Sequence, residues 1–323
     1  MDVGTGLTGL FPRPEPLVRA TRDLDRGRAA PEAVESLTRS CEATIVELES
    51  RLGFEPVTAG ALRWADLFRP ISESWGGFRV GPVTRWFETN TFFRQPILER
   101  PPERTPGAIA RLLPGATGAA PAARSKVVLP GPYTLAGLLE NRSGETAEAL
   151  VHRLGRLLAE EVAELGRAGY ATFQFQEPLI VVRPPAGPAA ESVLAAYRAI
   201  VEAAAGRTTV VWTFFADAAP SFPLLSRLGT SYVGIDLAET DPAGLPSAPL
   251  RTGLGVGCLD PRTTLREDPE EIAAIARAAA ERVGAERLWL GPGGPLDLLP
   301  YEPAIRKLSV LPRARAALQG GRP

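Results

Sequence analysis

A carboxylate and an amide directly follow an apolar segment near the middle of the chain. Residues 171–176 are rich in residue types that favour β-strands. Gln176 ends this segment, and Glu177 stands between it and Pro178. A proline ends a strand ladder and holds the residue before it in an extended conformation, so Glu177 is expected at a strand end. A carboxylate there can act as a general acid, anchor a ligand, or pair with a neighbouring arginine. We predict a catalytic role for Glu177 and substrate binding by Gln176.

A second group of polar side chains follows a glycine-rich apolar run at residues 250–258. Residues 258–264 (CLDPRTT) bring an acid, an arginine and two hydroxyls into one short loop, which can hold a polar substrate. We predict catalytic roles for Asp260 and Arg262 and substrate binding by Thr263. Cys258 is expected to be a buried and inert thiol, because no histidine stands near it in sequence to activate it.

Other polar residues stand in the predicted insertion or in loops that follow predicted strands. Five of them are predicted to bind substrate: Arg13, Arg63, Arg94, Asn141 and Asp236. The arginines can pair with substrate carboxylates. Residues 291–294 (GPGG) follow another strand, where backbone N–H groups can receive an anion or a tight turn can simply require glycine.

Several classes of mechanism are excluded by the scarcity of particular residue types. His152 is the only histidine, and Cys41 and Cys258 are the only cysteines, so a histidine pair, a disulfide framework and a four-cysteine zinc site are all ruled out. Lys126 and Lys307 are the only lysines, and neither belongs to a phosphate-binding loop motif. Neither is expected at the carboxyl end of a strand, which disfavours a Schiff-base mechanism.

These residues must be positioned by regularly alternating elements. Apolar β-rich runs alternate with amphipathic helical stretches, as is typical of βα units around a parallel sheet. Eight strands are predicted, at residues 5–10, 56–61, 126–130, 171–176, 208–214, 231–236, 250–258 and 287–291. Helices are predicted at residues 31–51, 146–168, 189–205, 269–283 and 302–318. Eight such units close a barrel, so we predict an α/β fold, a (βα)8 TIM barrel with its active site at the carboxyl ends of the strands, the mouth.

Two stretches interrupt this alternation. Residues 79–99 are rich in aromatic side chains and are predicted to form a β-hairpin inserted after the second strand, and long insertions of this kind usually carry function. Residues 100–124 are rich in proline, glycine and alanine and are expected to form a loop. We therefore expect a single domain over residues 1–323, with the hairpin above the mouth. Glu177, Asp236, Asp260 and Arg262 are expected to converge there on one cavity.

The overall composition indicates a folded protein that acts on a small molecule. Of the 323 residues, 45% are hydrophobic, which excludes a disordered chain. The 36 basic residues nearly balance the 37 acidic ones, which gives no electrostatic reason to expect nucleic acid or an anionic membrane as partner. No apolar run approaches the roughly 18 residues of a membrane span. We expect a cytoplasmic protein.

The order of short motifs along the chain resembles the cobalamin-independent methionine synthase family, in the superfamily of uroporphyrinogen decarboxylase and methionine synthase barrels. The motifs are residues 6–14 (GLTGLFPRP), 94–97 (RQPI), 129–134 (LPGPYT), 175–178 (FQEP), 257–260 (GCLD) and 288–292 (LWLGP). The likeness covers nearly the whole chain at the length of a single barrel, half of the two-barrel enzyme.

This resemblance implies a departure from the family's chemistry. The family's zinc ion activates a homocysteine thiol and is held by a His-x-Cys pair, a glutamate and a late cysteine. The matching positions here are Thr213, Phe215, Asp236 and Gly294. Gln176 and Ala61 stand where the family holds homocysteine with acids, and Arg262 replaces its proton-donating histidine, although a guanidinium is a poor proton donor at neutral pH. A bound zinc ion is therefore not expected.

Three functions are consistent with these residues. The first is a zinc-independent methyltransferase that moves a one-carbon group from a methyl-tetrahydrofolate or corrinoid donor to an unknown acceptor, with no covalently bound cofactor. The second is a catalytically inactive barrel that binds a folate or another small molecule, or acts as partner subunit of a corrinoid or other protein. The third is decarboxylase-like chemistry on a polyanionic substrate, whose carboxylates would pair with four arginines at the mouth, Arg13, Arg63, Arg94 and Arg262.

Overall fold

A computed structural model describes residues 1–247 and 249–320 of the chain. Its strands, in chain order, are β1 (Asp2–Thr5), β2 (Gly76–Arg85), β3 (Phe92–Glu103), β4 (Lys126–Pro130), β5 (Glu140–Asn141), β6 (Thr172–Gln176), β7 (Thr208–Trp212), β8 (Tyr232–Asp236), β9 (Gly253–Leu259) and β10 (Arg287–Pro292). Seven of them form one parallel sheet in the order β1-β10-β9-β8-β7-β6-β4. The α/β class and the parallel, barrel-like sheet are confirmed.

The second predicted strand, residues 56–61, is largely absent. Val57 alone makes a parallel bridge to Ser125, beside the start of β4. Beyond it the backbone turns into a short 3-10 helix (Ala59–Ala61), in which Ala59 and Ala61 have φ values of 53° and 49°. Residues in this left-handed region cannot continue a strand. The sheet thus has seven regular strands, and the single-residue bridge at Val57 stands beside β4 at its edge.

The first strand also differs from its predicted position at residues 5–10. It pairs with β10 from Asp2 to Thr5 and gains one more backbone bond, from Gly6 N to Leu290 O. Residues 7–11 then leave the sheet, because their backbone meets other groups: Phe11 N donates to Gly60 O at 3.0 Å, and Leu7 O and Thr8 O accept side-chain donors from inside the barrel.

Helices surround the sheet in the expected alternation. They are α1 (Glu15–Asp25), α2 (Pro31–Arg51), α3 (Arg69–Ser74), α4 (Pro114–Thr117), α5 (Pro132–Leu138), α6 (Ala147–Arg167), α7 (Leu179–Val182), α8 (Pro188–Ala204), α9 (Phe222–Leu225), α10 (Pro269–Val283), α11 (Tyr301–Leu308) and α12 (Leu311–Leu318). The predicted last helix is divided into α11 and α12, since a proline at position 312 opens a new helix. No helix in the described ranges is long and apolar enough to cross a membrane.

The α6 helix illustrates why these segments become helical. Thr146 caps its first turn by accepting a hydrogen bond from Ala149 N at 3.2 Å. Leu150, Leu154 and Leu158 then recur at helical spacing and are buried. The apolar face of α6 therefore covers the sheet and packs on α8.

The aromatic insertion forms a separate small sheet. Strands β2 and β3 pair antiparallel from the Gly76–Glu103 pair to the Arg85–Phe92 pair, so the hairpin is longer at both ends than residues 79–99. Strand β5 pairs in parallel with β3 at two positions. The predicted loop at residues 100–124 instead contains the end of β3, the α4 helix and two 3-10 turns.

The barrel interior is filled rather than hollow. The Trp212 side chain is fully buried, and its Nε1 donates to Gly293 O at 3.0 Å. A Cβ added to Gly234 or Gly255 would lie 2.4 Å or 2.6 Å from the Trp212 ring. These two glycines thus make room for the indole, which is a packing role for strand glycine.

Both lysines are buried. Lys126 is 2% exposed, and its Nζ donates to Gln174 Oε1 at 2.7 Å and also to Leu7 O inside the barrel. Lys307 on α11 is 0% exposed and pairs with Glu267 at 2.6 Å. The Lys126 amine thus lies inside the barrel, and the Lys307 amine binds the loop that follows β9.

Candidate functional site

A small cavity lies at the mouth, beneath the tip of the hairpin. Its volume is about 40 Å³. The walls are Gly9, Leu10, Ala65, Asp66, Leu67, Trp86, Thr91, Phe92, Phe93, Gln176, Pro295 and Asp297. They come from the loop after β1, the segment after the Val57 bridge, the hairpin, the end of β6 and the loop after β10.

Aromatic rings close this cavity from above. The Trp86 ring lies 5.7 Å from Phe68 and 5.5 Å from Phe93, centroid to centroid. Next to them, Phe87 of the hairpin meets Phe215 of the β7 loop at 5.3 Å. Phe87 and Phe215 have φ values of 48° and 76°, a left-handed conformation that costs a bulky residue energy. The hairpin tip is therefore held down by a contact for which both partners adopt strained backbone.

Gln176, at the end of β6, is the one predicted site residue in the wall of this cavity. Its side chain is 1% exposed, and its Nε2 donates to Thr8 O. Its Oε1 has no hydrogen-bond donor within residues 1–247 and 249–320. A buried amide oxygen without a partner is costly, so Gln176 retains an unused acceptor at the cavity.

Two carboxylates in the cavity wall were not predicted as site residues. Asp66 is 7% exposed and accepts backbone bonds from Phe68, Arg69 and Arg94 at 2.8 to 3.1 Å. Asp297 follows β10, and burial raises its pKa to about 7. The Asp66 carboxylate raises the pKa slightly further, and the Arg13 guanidinium lowers it. Both aspartates stand in loops that follow predicted strands, and this position alone could have indicated a site residue. Neither belongs to a recognisable motif.

Glu177 is fully buried and faces the chain's own backbone. Its two oxygens accept from Tyr133 N at 2.9 Å and Thr134 N at 2.8 Å, in the first turn of α5. Burial raises its pKa to about 7. A Cβ added to Gly131 would lie 2.2 Å from the Glu177 carboxyl carbon, so this turn needs glycine. The carboxylate holds the β4–α5 turn in place.

Asp236, at the end of β8, is buried in a similar way. Its Oδ1 accepts from Ala238 N at 3.0 Å, and its Oδ2 lies 3.5 Å from Phe215 N. Burial raises its pKa to about 6. Because Gly293 lacks a side chain, the β10 loop can approach this carboxylate closely.

Asp260 and Arg262 form an ion pair at the rim of the mouth. The Asp260 Oδ1 accepts from both the backbone N and the Nε of Arg262 at 2.9 Å, and the other end of the guanidinium contacts Glu239. These three side chains are 28 to 36% exposed. Thr263 Oγ1 accepts from Leu265 N at 3.3 Å in the same loop.

Two of the predicted arginines are bound to parts of the chain itself. Arg63 makes four hydrogen bonds of 2.7 to 3.0 Å to Glu35 and Glu42 of α2, so its guanidinium is fully paired away from the cavity. Arg13 donates to Leu62 O at 3.0 Å and to Trp64 O at 2.8 Å. Arg13 lines an open groove of about 540 Å³ that adjoins the cavity and shares Asp297 with it.

Arg94 and Asn141 lie on the hairpin sheet. The Arg94 side chain is exposed on β3, and only its backbone N reaches the site, through Asp66. Asn141 is exposed as well, and its amide is used within its own loop, accepting from Ser143 and donating to Glu145 O. Neither is in the cavity wall.

The predicted residues thus share one end of the barrel without sharing one cavity. Glu177, Asp236, Asp260 and Arg262 all follow the carboxyl ends of parallel strands. None of the four belongs to the cavity wall, because each is engaged by its own neighbouring backbone or by an ion pair. Their convergence on one substrate site stays a prediction.

The positions compared with a zinc site carry few donor atoms. Thr213 Oγ1 donates to Gly234 O at 2.9 Å, and Phe215 and Gly294 have no side-chain donor. A Cβ at Gly294 would already lie 3.3 Å from the Phe214 ring. Across the described residues, no group of three or more histidine, cysteine, aspartate or glutamate side chains could hold a metal ion.

Comparison with known proteins gives a consistent picture. Residues 79–284 match the family model described as cobalamin-independent synthase, N-terminal domain. The chain is 25% identical to a protein named methionine synthase from Sulfurisphaera tokodaii, over 94% of this chain and 89% of that one. It is 28% identical to a 5-methyltetrahydropteroyltriglutamate–homocysteine methyltransferase from Nitratidesulfovibrio vulgaris, over 72% of this chain but 33% of that one.

The fold has solved counterparts. The structure of a B12-independent methionine synthase from a Shewanella species, in complex with selenomethionine, superposes with a TM-score of 0.76 over 98% of this chain and 97% of that one, at 18% identity. A methyltransferase from Methanosarcina mazei superposes with a TM-score of 0.59 over 96% of this chain at 14% identity. At these identities the likeness is one of fold.

Proposed function

The chain belongs to the cobalamin-independent methionine synthase family, and from this premise we propose that it is a methyltransferase that uses no zinc ion. It would move a methyl group from a folate or corrinoid donor to a small acceptor. The observation that carries the proposal is the similarity to single-barrel methionine synthases over 94% of the chain, which spans every element around the mouth. Another relative, which this chain matches over 33% of its length, is named for a methyltetrahydropteroyl donor.

The architecture that we propose for this activity is an eight-unit barrel. In it the Val57 bridge takes the place of the second strand, and the β2–β3 hairpin is an insertion that covers the mouth. The contacts of Trp86, Phe87 and Phe93 with Phe68 and Phe215 support this placement of the hairpin.

A family zinc ion does not fit the residues present. Thr213, Phe215 and Gly294 offer no thiolate or imidazole, and a single carboxylate at Asp236 cannot complete a four-coordinate site. The Phe214 ring also occupies the space beside Gly294, and Asp236 lies beside the backbone N of Phe215. We therefore expect an acceptor that needs no activation by zinc, since a thiol of pKa about 8.5 is mostly protonated at neutral pH.

The predicted site residues take different roles in this proposal. Glu177 acts as a positioning residue, because its carboxylate fixes the turn at Tyr133 and Thr134 through two backbone bonds. Gln176 and Asp297 are the groups with acceptor atoms left over for a ligand. Arg262 and Asp260 shape the rim through their ion pair.

A direct assay tests the activity. The purified chain is incubated with 5-methyl-tetrahydrofolate or methylcobalamin and a panel of thiol, amine and oxygen acceptors, and metal content is measured on the same sample. We expect methyl transfer to at least one acceptor other than homocysteine and no stoichiometric zinc. Zinc at one ion per chain, or methionine as the sole product, would contradict the proposal.

The aromatic closure of the mouth favours a second candidate, a barrel that binds a ligand without turnover. The Trp86, Phe92 and Phe93 rings line the small cavity, and next to them the Phe87 ring meets Phe215, which in turn meets Phe214. If calorimetric titration shows stoichiometric binding of a folate while no acceptor is methylated, this candidate replaces the first.

Decarboxylase-like chemistry on a polyanion is less well supported by the contacts. The guanidinium of Arg63 is taken by Glu35 and Glu42, and that of Arg262 by Asp260 and Glu239. Of the four arginines that were to pair with substrate carboxylates, two are thus neutralised by carboxylates of the chain. A tetrapyrrole carboxylate bound at the mouth would restore this alternative.

A further inference from the structure

The parallel sheet leaves two backbone carbonyls without strand partners at its edge. β1 and β4 are its two ends, and the chain between them adds to this sheet only the bridge at Val57, whose carbonyl accepts from Lys126 N at 2.8 Å. Leu7 and Thr8 follow β1 at this gap, and both residues are buried. Neither of their carbonyls receives a backbone N–H from residues 1–247 or 249–320. Because a buried carbonyl without a donor is costly, other groups must supply these hydrogen bonds.

Three side chains from the barrel interior supply the donors. Lys126, the first residue of β4, directs its Nζ to Leu7 O. Gln174 and Gln176 stand two residues apart on the same face of β6, and both direct their Nε2 to Thr8 O. The three side chains thus take the place of the N–H groups that a neighbouring strand would offer.

The Gln174 amide is fixed at both of its ends. Thr8 O can only accept, so Gln174 presents its Nε2 to Thr8 and its Oε1 to Lys126, whose Nζ donates to it at 2.7 Å. Burial lowers the pKa of Lys126 to about 7, and the charge of Glu49 opposes this shift. A neutral amine still carries two N–H groups for the two acceptors, Leu7 O and Gln174 Oε1. Both contacts therefore hold in either protonation state.

The segment after β1 connects Lys126 with the mouth. Thr8 Oγ1 lies 3.1 Å from Gly294 O, in the loop after β10. A Cβ added to Gly9 would lie 2.8 Å from Gln176 Nε2, so the segment is closely packed against this amide. Gly9 and Gln176 both belong to the wall of the mouth cavity. A displacement of the segment would therefore displace the cavity wall.

We propose that Lys126 is a positioning residue for the mouth. It holds the Leu7–Thr8 segment from inside the barrel, directly and through Gln174, and so keeps the Gln176 amide in its place in the cavity wall. A residue at the amino end of one strand thereby controls a residue at the carboxyl end of another. The proposal goes beyond methyl transfer, because it depends on no particular donor or acceptor and holds equally for a barrel that only binds its ligand.

Hydrogen exchange of the glutamine side chains tests this role. The chain has four glutamines, at positions 95, 174, 176 and 319, so labelling with ¹⁵N-glutamine gives four side-chain amide signals in NMR spectra of the full chain. Lys126→Met keeps an unbranched side chain but removes the donor. We expect it to accelerate exchange of the Gln174 and Gln176 amides at least tenfold and to leave that of Gln95, on the hairpin, within twofold.

Lys307→Met is the matched control, because it makes the same substitution at the other buried lysine, which binds the loop after β9. It should leave exchange of Gln174 and Gln176 within twofold of the parent, and urea denaturation measures the stability that each variant loses. Equal acceleration in both variants, or acceleration of Gln95 together with the other two, would reveal a general loss of stability and overturn the proposal. Unchanged exchange of Gln176 in folded Lys126→Met would also overturn it.

A measurement on the parent chain needs no substitution and applies even if Lys126→Met does not fold. With ¹³C-lysine and ¹⁵N-glutamine labels, only two lysines and four glutamines give signals. We expect a nuclear Overhauser effect between the Hε protons of Lys126 and the side-chain amide of Gln174, since Nζ and Oε1 are 2.7 Å apart. Absence of this effect would mean that Lys126 does not hold the Gln174 amide, and the proposal would fail.

Discussion

At the ends of β6 and β8, two buried carboxylates are bonded to the chain's own backbone. Glu177 and Asp236 accept four contacts of 2.8 to 3.5 Å from main-chain N–H groups. In the wall of the mouth cavity, Asp297 after β10 has no such partner among the described residues beyond its own N–H, and Gln176 at the end of β6 retains an Oε1 without a donor there.

The two strand-end carboxylates and the two cavity-wall groups therefore differ in how their polar atoms are satisfied. A buried carboxylate that accepts from backbone N–H groups stabilises a turn and has little capacity left for a ligand. A buried acceptor without a donor costs stability and is retained where a ligand can supply the missing donor. Burial and charge alone do not separate these cases, because burial raises the pKa of both Glu177 and Asp297 to about 7.

The largest effect is expected at Glu177. Glu177→Ala should lower the free energy of unfolding by about 3 kcal/mol, because it leaves two buried N–H groups of the α5 turn without an acceptor. Glu177→Gln keeps one acceptor oxygen and should cost about half as much. Urea denaturation measures both, and a loss under about 1 kcal/mol for the alanine variant would show that the carboxylate is not needed by the turn.

The hairpin contact should have the next largest effect. Phe87→Ala removes the ring that meets Phe215 and should destabilise the chain by about 2 kcal/mol while it increases proteolysis of the tip. Phe87→Gly is the matched control. It loses the same ring but relieves the left-handed φ of 48°, so it should be about 1 kcal/mol more stable than the alanine variant. Equal stability of the two variants would contradict a strained backbone at this position.

Asp297→Asn should raise the free energy of unfolding by about 1 kcal/mol above pH 7, whereas the two preceding substitutions lower it. Its pKa of about 7 lies above its ordinary value of 3.8, so the folded chain favours the protonated carboxyl, and this contribution to stability is lost as the pH rises through 7. Asp297→Asn cannot ionise and should therefore be more stable than the parent above pH 7. Thermal unfolding at pH 5 and pH 8 tests this, and a variant less stable at pH 8 would mean that the carboxylate is satisfied after all.

The rim should respond least. Asp260→Asn breaks an ion pair whose side chains are 28% and 36% exposed, and such pairs contribute about 0.5 kcal/mol or less. Its thermal midpoint should move by no more than a degree or two and become insensitive to added salt. A loss as large as that of Glu177→Ala would place Asp260 in the same structural class as the buried carboxylates.

The order of elements could be predicted from periodicity, but the partners of the polar side chains could not. The strand at Lys126–Pro130 was predicted at its observed bounds, since an apolar run between turn residues is a local signal. Glu177 was expected at a strand end and lies there. That its carboxylate faces Tyr133 and Thr134 depends on how β4 packs beside β6, which sequence spacing does not show.

Two of the differences between prediction and structure have the same origin. Residues 56–61 have strand-like composition, but Glu49 of α2 takes the N–H groups of Thr58 and Ala59 and draws the backbone into a turn. Arg63 was expected near substrate, but Glu35 and Glu42 of α2 bind it first. In both cases carboxylates on α2, between 9 and 28 residues away along the chain, decide the outcome.

Because both lysines are buried, reactions that modify lysine amines cannot reach them in the folded chain. Lys126 and Lys307 are 2% and 0% exposed, and each Nζ is occupied by hydrogen bonds. Acetylation, ubiquitin conjugation and amine-reactive cross-linking all require an accessible lysine nitrogen, so none can act on a lysine side chain of the native molecule. Labelling of either residue would therefore require unfolding, so the rate of lysine acylation measures how often the barrel opens.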